Sequence, residues 1–408
     1  VKVFYATDRK ATGKTAPNEK YSSERGTLVL GSATVAIPRE HRLGALEKPS
    51  IFRLEFREDP EKHVVLLSAA EQPAADFYRE VSAKVALAPD RSAFVFVHGF
   101  NVTFKDAARR TAQMAYDLGF PGAPVFYSWP SAGTSTGYTY DENNVIWTEP
   151  NLKAFIKEFA AASKADNVFL VAHSMGTRAL ANAVKSLIAE DPIVRAKVKE
   201  IILAAPDIDA DVFKRDIAPF LIAPGRGITL YASSNDWALI ASRKVHGYVR
   251  AGDTSGGIKP ITGVELVDAT NAETDFVGHA YYGDSKSIVS DLYELINARS
   301  RADKRERKTN SHAADPGASA KPALHGRGRQ AGEAHNLRAR GDNCAEQHHQ
   351  RSARAFELVL RRFIAGGADF QHFRRGHPLG EWQRRIRHQS APQRDREQHP
   401  ERAAKRAD

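Results

Sequence analysis

The 408-residue sequence has a single cysteine, Cys344. Its first 300 residues have none, which excludes a disulfide and a thiolate metal site there and leaves the redox compartment unread. No apolar run approaches the roughly 20 residues that a membrane-spanning helix needs. There is no Gly-rich phosphate loop, no Cys/His zinc spacing and no Asp-rich calcium loop, so the pattern calls for neither a metal nor an organic cofactor. The chain starts VKVFYATDRK, without Met and without a signal-peptide core. Such a start fits a processed or trimmed end, so a soluble protein, cytoplasmic or exported after signal removal, is expected. Oligomeric state is not written in the pattern.

An excess of charge of either sign is also missing from the front of the chain. The formal net charge is +10, but residues 301–408 carry 24 Lys and Arg against 13 Asp and Glu. That leaves 35 against 36 in residues 1–300, which therefore show no nucleic-acid signature. The region after Ser300 is rich in Arg, His, Gln and Ala and has no hydrophobic period. Its composition predicts a disordered basic tail over 301–408. Contact with nucleic acid or an anionic surface is expected, if anywhere, through this tail.

What the first 300 residues do have is alternation of strand and helix. The front, to about Glu71, reads as short strands: GTLVLGSATVAIP, SIFRLEF and HVVLLSA. Then come continuous apolar runs: SAFVFVHGFN, APVFYSWPS, NVFLVAHS, KEIILAAPDID, GITLYASSND and GVELVDAT. Between them lie helical patterns at Thr103–Leu118, Glu149–Ser163 and Met175–Ala189, with a last one at Asp284–Ala298. Buried strands alternating with helices predict a mostly parallel sheet with helices on both faces, and antiparallel strands at the N-terminal edge. Residues 1–300 are then one domain, with 1–71 as its N-terminal strands. Such sheets bind ligands at the carboxyl ends of their strands.

The stretch VFLVAHSMGTRALANAV sharpens this. Strand, A-H-S-M-G, then helix is the context of a nucleophile elbow. Ser174 stands at the turn, and Ala172 and Gly176, two residues to either side, are small enough for it. The helix N-terminus behind Ser174 faces any anion formed there. A serine needs a base. His41 and His63 read as surface residues, His173 points away from its neighbour, and His98 belongs to another turn. His279, in DFVGHAYYGDS after the last strand, fits the chain order Ser, acid, His; His246 is the alternative. The orienting acid is Asp236, at the end of ITLYASSND, with Asp207 as a supporting group or the alternative. Asp209 and Asp211 read as solvated. The oxyanion donors are the amides of Met175 and Phe100, with Gly99 allowing a tight turn and His98 and Asn101 holding the loop. Trp129, Tyr138, Tyr140 and Trp147 follow at the same edge and are candidate pocket walls.

VFYATDR, FVFVHGFN, VFYSWPSAG, VAHSMG, LAAPDID, YASSNDWAL and GHAYY, in this order over residues 1–300, resemble a bacterial branch of the α/β-hydrolase superfamily. That branch is catalogued as a domain of unknown function and described as esterase- or lipase-like. The resemblance implies an α/β-hydrolase fold, Ser174 as nucleophile, Asp236 as acid and His279 as base, and the intact VFYATDR start implies a complete domain. The expected activity is hydrolysis of small-molecule acyl esters without metal or cofactor. A lipase, thioesterase or amidase would use the same groups, and a binding protein on a hydrolase fold is the reading from another class.

Overall fold

The computed structural model describes residues 1–49, 55, 57–256, 260–270 and 286–298. The basic tail, the segment carrying His279 and most of SIFRLEF lie outside these residues.

The chain opens with β1 (Lys2–Ala11), β2 (Tyr21–Ala36) and β3 (Val65–Gln72), followed by α1 (Ala74–Ala86). Then come β4 (Ser92–Val97), α2 (Phe104–Asp117), β5 (Ala123–Ser128), α3 (Tyr138–Ala162), β6 (Asn167–His173) and α4 (Gly176–Glu190). The third stretch holds α5 (Pro192–Lys197), β7 (Val198–Ala204), the short turns α6 (Ala210–Val212) and α7 (Ala218–Leu221), β8 (Gly227–Ala232) and α8 (Trp237–His246). The described chain closes with β9 (Glu265–Asp268) and α9 (Lys286–Ile296).

The strands form one sheet in the order β3-β2-β1-β5-β4-β6-β7-β8-β9. β2 is antiparallel to β1 and β3, and every other neighbouring pair is parallel. This is the mostly parallel sheet with an antiparallel N-terminal edge that the apolar runs predict. Each face is buried for a reason visible in the strands. Val95, Leu170 and Leu203 pack on α1, α3 and α4, while Phe94, Phe96 and Phe169 pack on α2 and α9. Strands covered on both sides must be apolar at every position, hence SAFVFV and NVFLVA. All the parallel strands point one way, so the residues after β1, β4, β5, β6, β7, β8 and β9 share one edge.

Three features differ from the sequence reading. β1 is a sheet strand although its end, Thr7-Asp8-Arg9, breaks the apolar pattern; these polar side chains are buried and hydrogen-bonded. The helix expected from Glu149 begins at Tyr138 and runs through Pro150. A proline suggests a helix start, but Pro150 and Ile146 face solvent, where water can serve the Ile146 carbonyl that loses its partner. Finally, His41 and His63 are not on the surface, since both side chains are buried against carboxylates. His41 bridges Glu47 at 2.8 Å and Asp117, the last residue of α2, at 2.7 Å. Burial alone would lower its pKa, but hydrogen bonds and charge from Asp117 and Glu47 raise it from 6.5 to about 9.

Candidate active site

Ser174 follows β6 directly and has φ = 48°, in the left-handed region that non-glycine residues avoid at a cost of about 1–2 kcal/mol. Its N–H donates to Ala204 O at 2.9 Å, locking the turn onto β7, and its carbonyl accepts from Thr177 N and Thr177 Oγ1. The strain is thus held by the strand beside it and the helix behind it. Two glycines make the close approach possible. A Cβ on Gly99 would lie 2.9 Å from Ser174 Cβ and from His173 Nδ1, and one on Gly176 would overlap the His98 carbonyl oxygen. The close neighbour that requires glycine at position 176 is the backbone at the end of β4.

The loop after β4 therefore lies directly against the serine. His98 is buried and its Nδ1–H donates to Gly99 O (2.9 Å), while Trp129 Nε1 donates to His98 O at 2.7 Å and the two rings stack. Burial, then the nearby Arg9 charge, lower the His98 pKa to about 3, so the ring is neutral and is fixed as a support. Asn101 adopts φ = 59°, and its N–H donates to Asp141 Oδ2. Among the described residues nothing accepts from the N–H of Phe100 or of Met175, the two expected oxyanion donors. Arg9 and Asp141, which the sequence reading did not single out, both grip this loop. The signal for Arg9 was its place in VFYATDR.

Asp207 lies on the other side of the elbow, its N–H 3.4 Å from Ser174 O. Its carboxylate is buried and fully engaged. Oδ1 takes Ser242 Oγ at 2.6 Å and pairs with Arg250, and Oδ2 takes Tyr138 OH and Arg178 Nη2 at 3.0 and 2.8 Å. His246 has both ring nitrogens occupied, Nε2 by Glu142 at 2.7 Å and Nδ1 by Ser242 O at 2.7 Å. Asp236 is half-buried at the end of β8 and caps α8, its Oδ1 accepting from the N–H groups of Ala238 and Leu239. Its Oδ2 has no partner among the described residues. A small cleft between Asp236, Ala205, Ser233 and Ala269 opens there. His279 lies outside the described residues.

The aromatic residues divide. Tyr138 packs edge-on against Phe100, 5.3 Å between centroids, and so does border the elbow. Trp129 is wholly buried under His98, which makes it packing rather than a pocket wall. Trp147 stacks under Arg25 of β2, and Tyr140 OH donates to Ser23 O, so both serve the N-terminal strands. A cavity of about 530 Å³ between β2, β3 and α3 contains no residue of the elbow or its loop. Among the described residues no helix is long and apolar enough to cross a membrane, and no group of three His, Cys, Asp or Glu could hold a metal.

A parallel sheet covered on both faces, with a strained serine between strand and helix at its carboxyl edge, defines an α/β hydrolase. The family model described as alpha/beta hydrolase of unknown function (DUF900) matches residues 74–299, more than half of the chain, and the chain belongs to that family. No curated protein matches it. Among solved structures it is similar to an inhibited esterase B from Lactobacillus rhamnosis, at 12% identity, 65% of this chain, 89% of that one and a TM-score of 0.30. It is also similar to an esterase from Pyrococcus furiosus (12%, 51% and 81%, TM-score 0.31). The catalytic core of acetyl xylan esterase from Trichoderma reesei is a third (11%, 51% and 93%, TM-score 0.27). Likenesses this weak bear on no residue or substrate here.

Proposed function

We propose that the protein is a serine hydrolase of carboxylic esters that works through an acyl-enzyme on Ser174. The observation that carries this is Ser174 itself: strained to φ = 48°, at a helix N-terminus, with the Gly99–Phe100 loop pressed against it. Ser174 Oγ attacks the ester carbonyl while His279 takes its proton. The N–H groups of Phe100 and Met175 bind the oxyanion, and the alcohol leaves with the proton that His279 returns. Water, deprotonated by His279, then cleaves the acyl-enzyme to release the acid and restore the serine. Asp236, whose Oδ2 has no partner among the described residues, orients the imidazole and stabilises its charged form. Asp207, saturated by two arginines and two hydroxyls, fits a structural place better. Esters are favoured over amides because alcohols leave more easily than amines.

The test is hydrolysis of p-nitrophenyl esters from acetate to palmitate by the wild type and by Ser174→Ala. Removing the nucleophile should lower kcat by about 10⁴-fold or more, leaving what binding and the oxyanion donors alone provide. The chain-length profile separates an esterase from a lipase. Equal rates in both proteins would refute the mechanism.

A further inference from the structure

Arg9 is an unusual residue to find where it is. It stands near the end of β1, outside the segment matched by the family model, and is only 3% exposed. Among the described residues no carboxylate pairs with it directly. An unpaired buried guanidinium is costly unless its donors are all used. Here they are used on the loops after β4 and β5 and on the two strands beside β1. Nη2 donates to Val102 O at 2.7 Å and lies 3.4 Å from His98 Nε2; Nη1 donates to Ser131 O at 2.9 Å and Ser22 O at 3.3 Å; Nε donates to Ser128 Oγ at 2.8 Å. Asp141 supplies the countercharge one step away. Its Oδ2 accepts from Ser131 Oγ (2.6 Å) and Asn101 N (3.1 Å), its Oδ1 accepts from Ala132 N, and Val102 N donates to Ser131 Oγ. The carbonyl of Gly99, the N–H of Asn101 and both backbone groups of Val102 are therefore engaged. The N–H of Phe100, in their midst, is left without an acceptor among the described residues.

We propose that Arg9 and Asp141 are positioning residues for the oxyanion loop, fixing residues 99–102 so that the Phe100 N–H stays aimed at the reacting carbonyl. This rests on the reading of that N–H as an oxyanion donor. Arg9 bonds its strand neighbours, Ser22 of β2 and Ser128 of β5, but it also reaches past them to Val102 after β4 and Ser131 after β5, which a mere staple between β1 and the sheet would not do. The task also explains the residue type. Only a planar fork with five donors can reach acceptors on several segments at once, and a lysine ammonium in the same place could serve one or two. Burial, with the charge of Arg9 as the second cause, keeps His98 neutral, so that ring can hold its place against Gly99 O without adding a second cation.

The experiment compares full-length wild type, Ser174→Ala, Arg9→Lys and Asp141→Asn on p-nitrophenyl acetate and on its thiono analogue, in which sulfur replaces the carbonyl oxygen. Donors fixed for an oxyanion should discriminate against the larger, weaker sulfur acceptor, so the wild type should prefer the oxygen ester strongly. In both variants kcat on the oxygen ester should fall by roughly 10–100-fold, as for a displacement of catalytic groups by about 1 Å, with KM little changed. The thiono rate should fall less, so that the preference shrinks. Unchanged kcat, or equal losses on both esters with the preference intact, would overturn the proposal and leave Arg9 a structural clamp. Should Arg9→Lys fail to fold, Asp141→Asn carries the same readout. Absence of any Ser174-dependent hydrolysis in the wild type would instead remove the esterase reading, and the proposal with it; that result is read before any Arg9 variant is made.

Discussion

The two ends of the sheet's carboxyl edge are built differently. Around Ser174, on β4, β5 and β6, the strands are wholly buried and two non-glycine residues, Asn101 and Ser174, hold left-handed backbone. A third, Ala205, does so at the end of the neighbouring β7, against which Gly252 packs too closely to carry a Cβ. Around Asp236, by contrast, the acid is half-buried and β9 is a four-residue edge strand with no fully buried residue. Strain at a buried site survives only where the surroundings over-determine it, and three of the five non-glycine residues with left-handed backbone stand at this edge, Arg91 and Lys164 lying at the opposite one. On the proposed mechanism, a nucleophile and its oxyanion donors tolerate little displacement, whereas an orienting carboxylate needs one open oxygen within reach of the base.

If that division is right, the two aspartates should separate stability from activity. Asp236→Asn keeps an equally good helix cap, so stability should change by less than about 0.5 kcal/mol. Its kcat should nevertheless fall by about 10³–10⁴-fold, because an amide cannot hold or stabilise the imidazolium. Asp207→Asn should do the reverse. It removes the charge facing Arg178 and Arg250 in a buried cluster, for a loss of about 3–5 kcal/mol, while the protein that remains folded keeps kcat within about tenfold. Chemical denaturation and steady-state kinetics on the two variants decide it. The opposite pattern would make Asp207 the acid and dissolve the contrast between the two ends.

A smaller effect tests the elbow side alone. Gly176→Ala pushes a methyl group into the His98 carbonyl, so the loop after β4 must retreat from the serine. We expect about 1–3 kcal/mol of destabilisation and a kcat loss of order 10²-fold, with KM nearly kept. A variant with wild-type kcat would show that the elbow is less tightly set than its contacts require.

The sequence makes one of these ends far more legible than the other. SAFVFVHGFN and NVFLVAHSMG announce their strands through unbroken apolar runs and their turns through glycine, so the sheet, the elbow and the loop beside it can be read without coordinates. Arg9 and Asp141 escape because hydrophobic period is blind to polar residues that are buried by satisfying one another. The same blindness made His41 and His63 look like surface residues, and the helix expected from Glu149 starts at Tyr138 instead. Trp129 and Trp147 show the limit of arguing a pocket from residue type. Each sits near the right edge in sequence, but one packs on a histidine and the other on Arg25. His279 and the basic tail remain sequence readings, since both lie outside the described residues.

His41 offers the mildest perturbation of the elbow side, from its far end. The loop after β2 is tied by this imidazole to the last residue of α2, the helix that begins just after the oxyanion loop. A pKa raised from 6.5 to about 9 means the clamp stabilises fully below pH 6.5 and is lost as pH rises through about 9. Glu47, lowered from 4.5, works in the opposite sense; burial by itself would raise it, but the His41 and Arg42 bonds prevail, and its contribution is lost as pH falls below 4.5. The clamp should therefore be strongest between these limits. Compared with His41→Gln, the wild type should be more stable by on the order of 1–2 kcal/mol near pH 6, a few degrees in Tm, with the difference closing toward pH 10. Activity per folded molecule should be the same in both, because the clamp lies at the opposite end of α2 from Phe100. A difference in Tm that stays constant with pH would show that the imidazole is held neutral, and a loss of kcat would show that α2 transmits the state of this clamp to the loop.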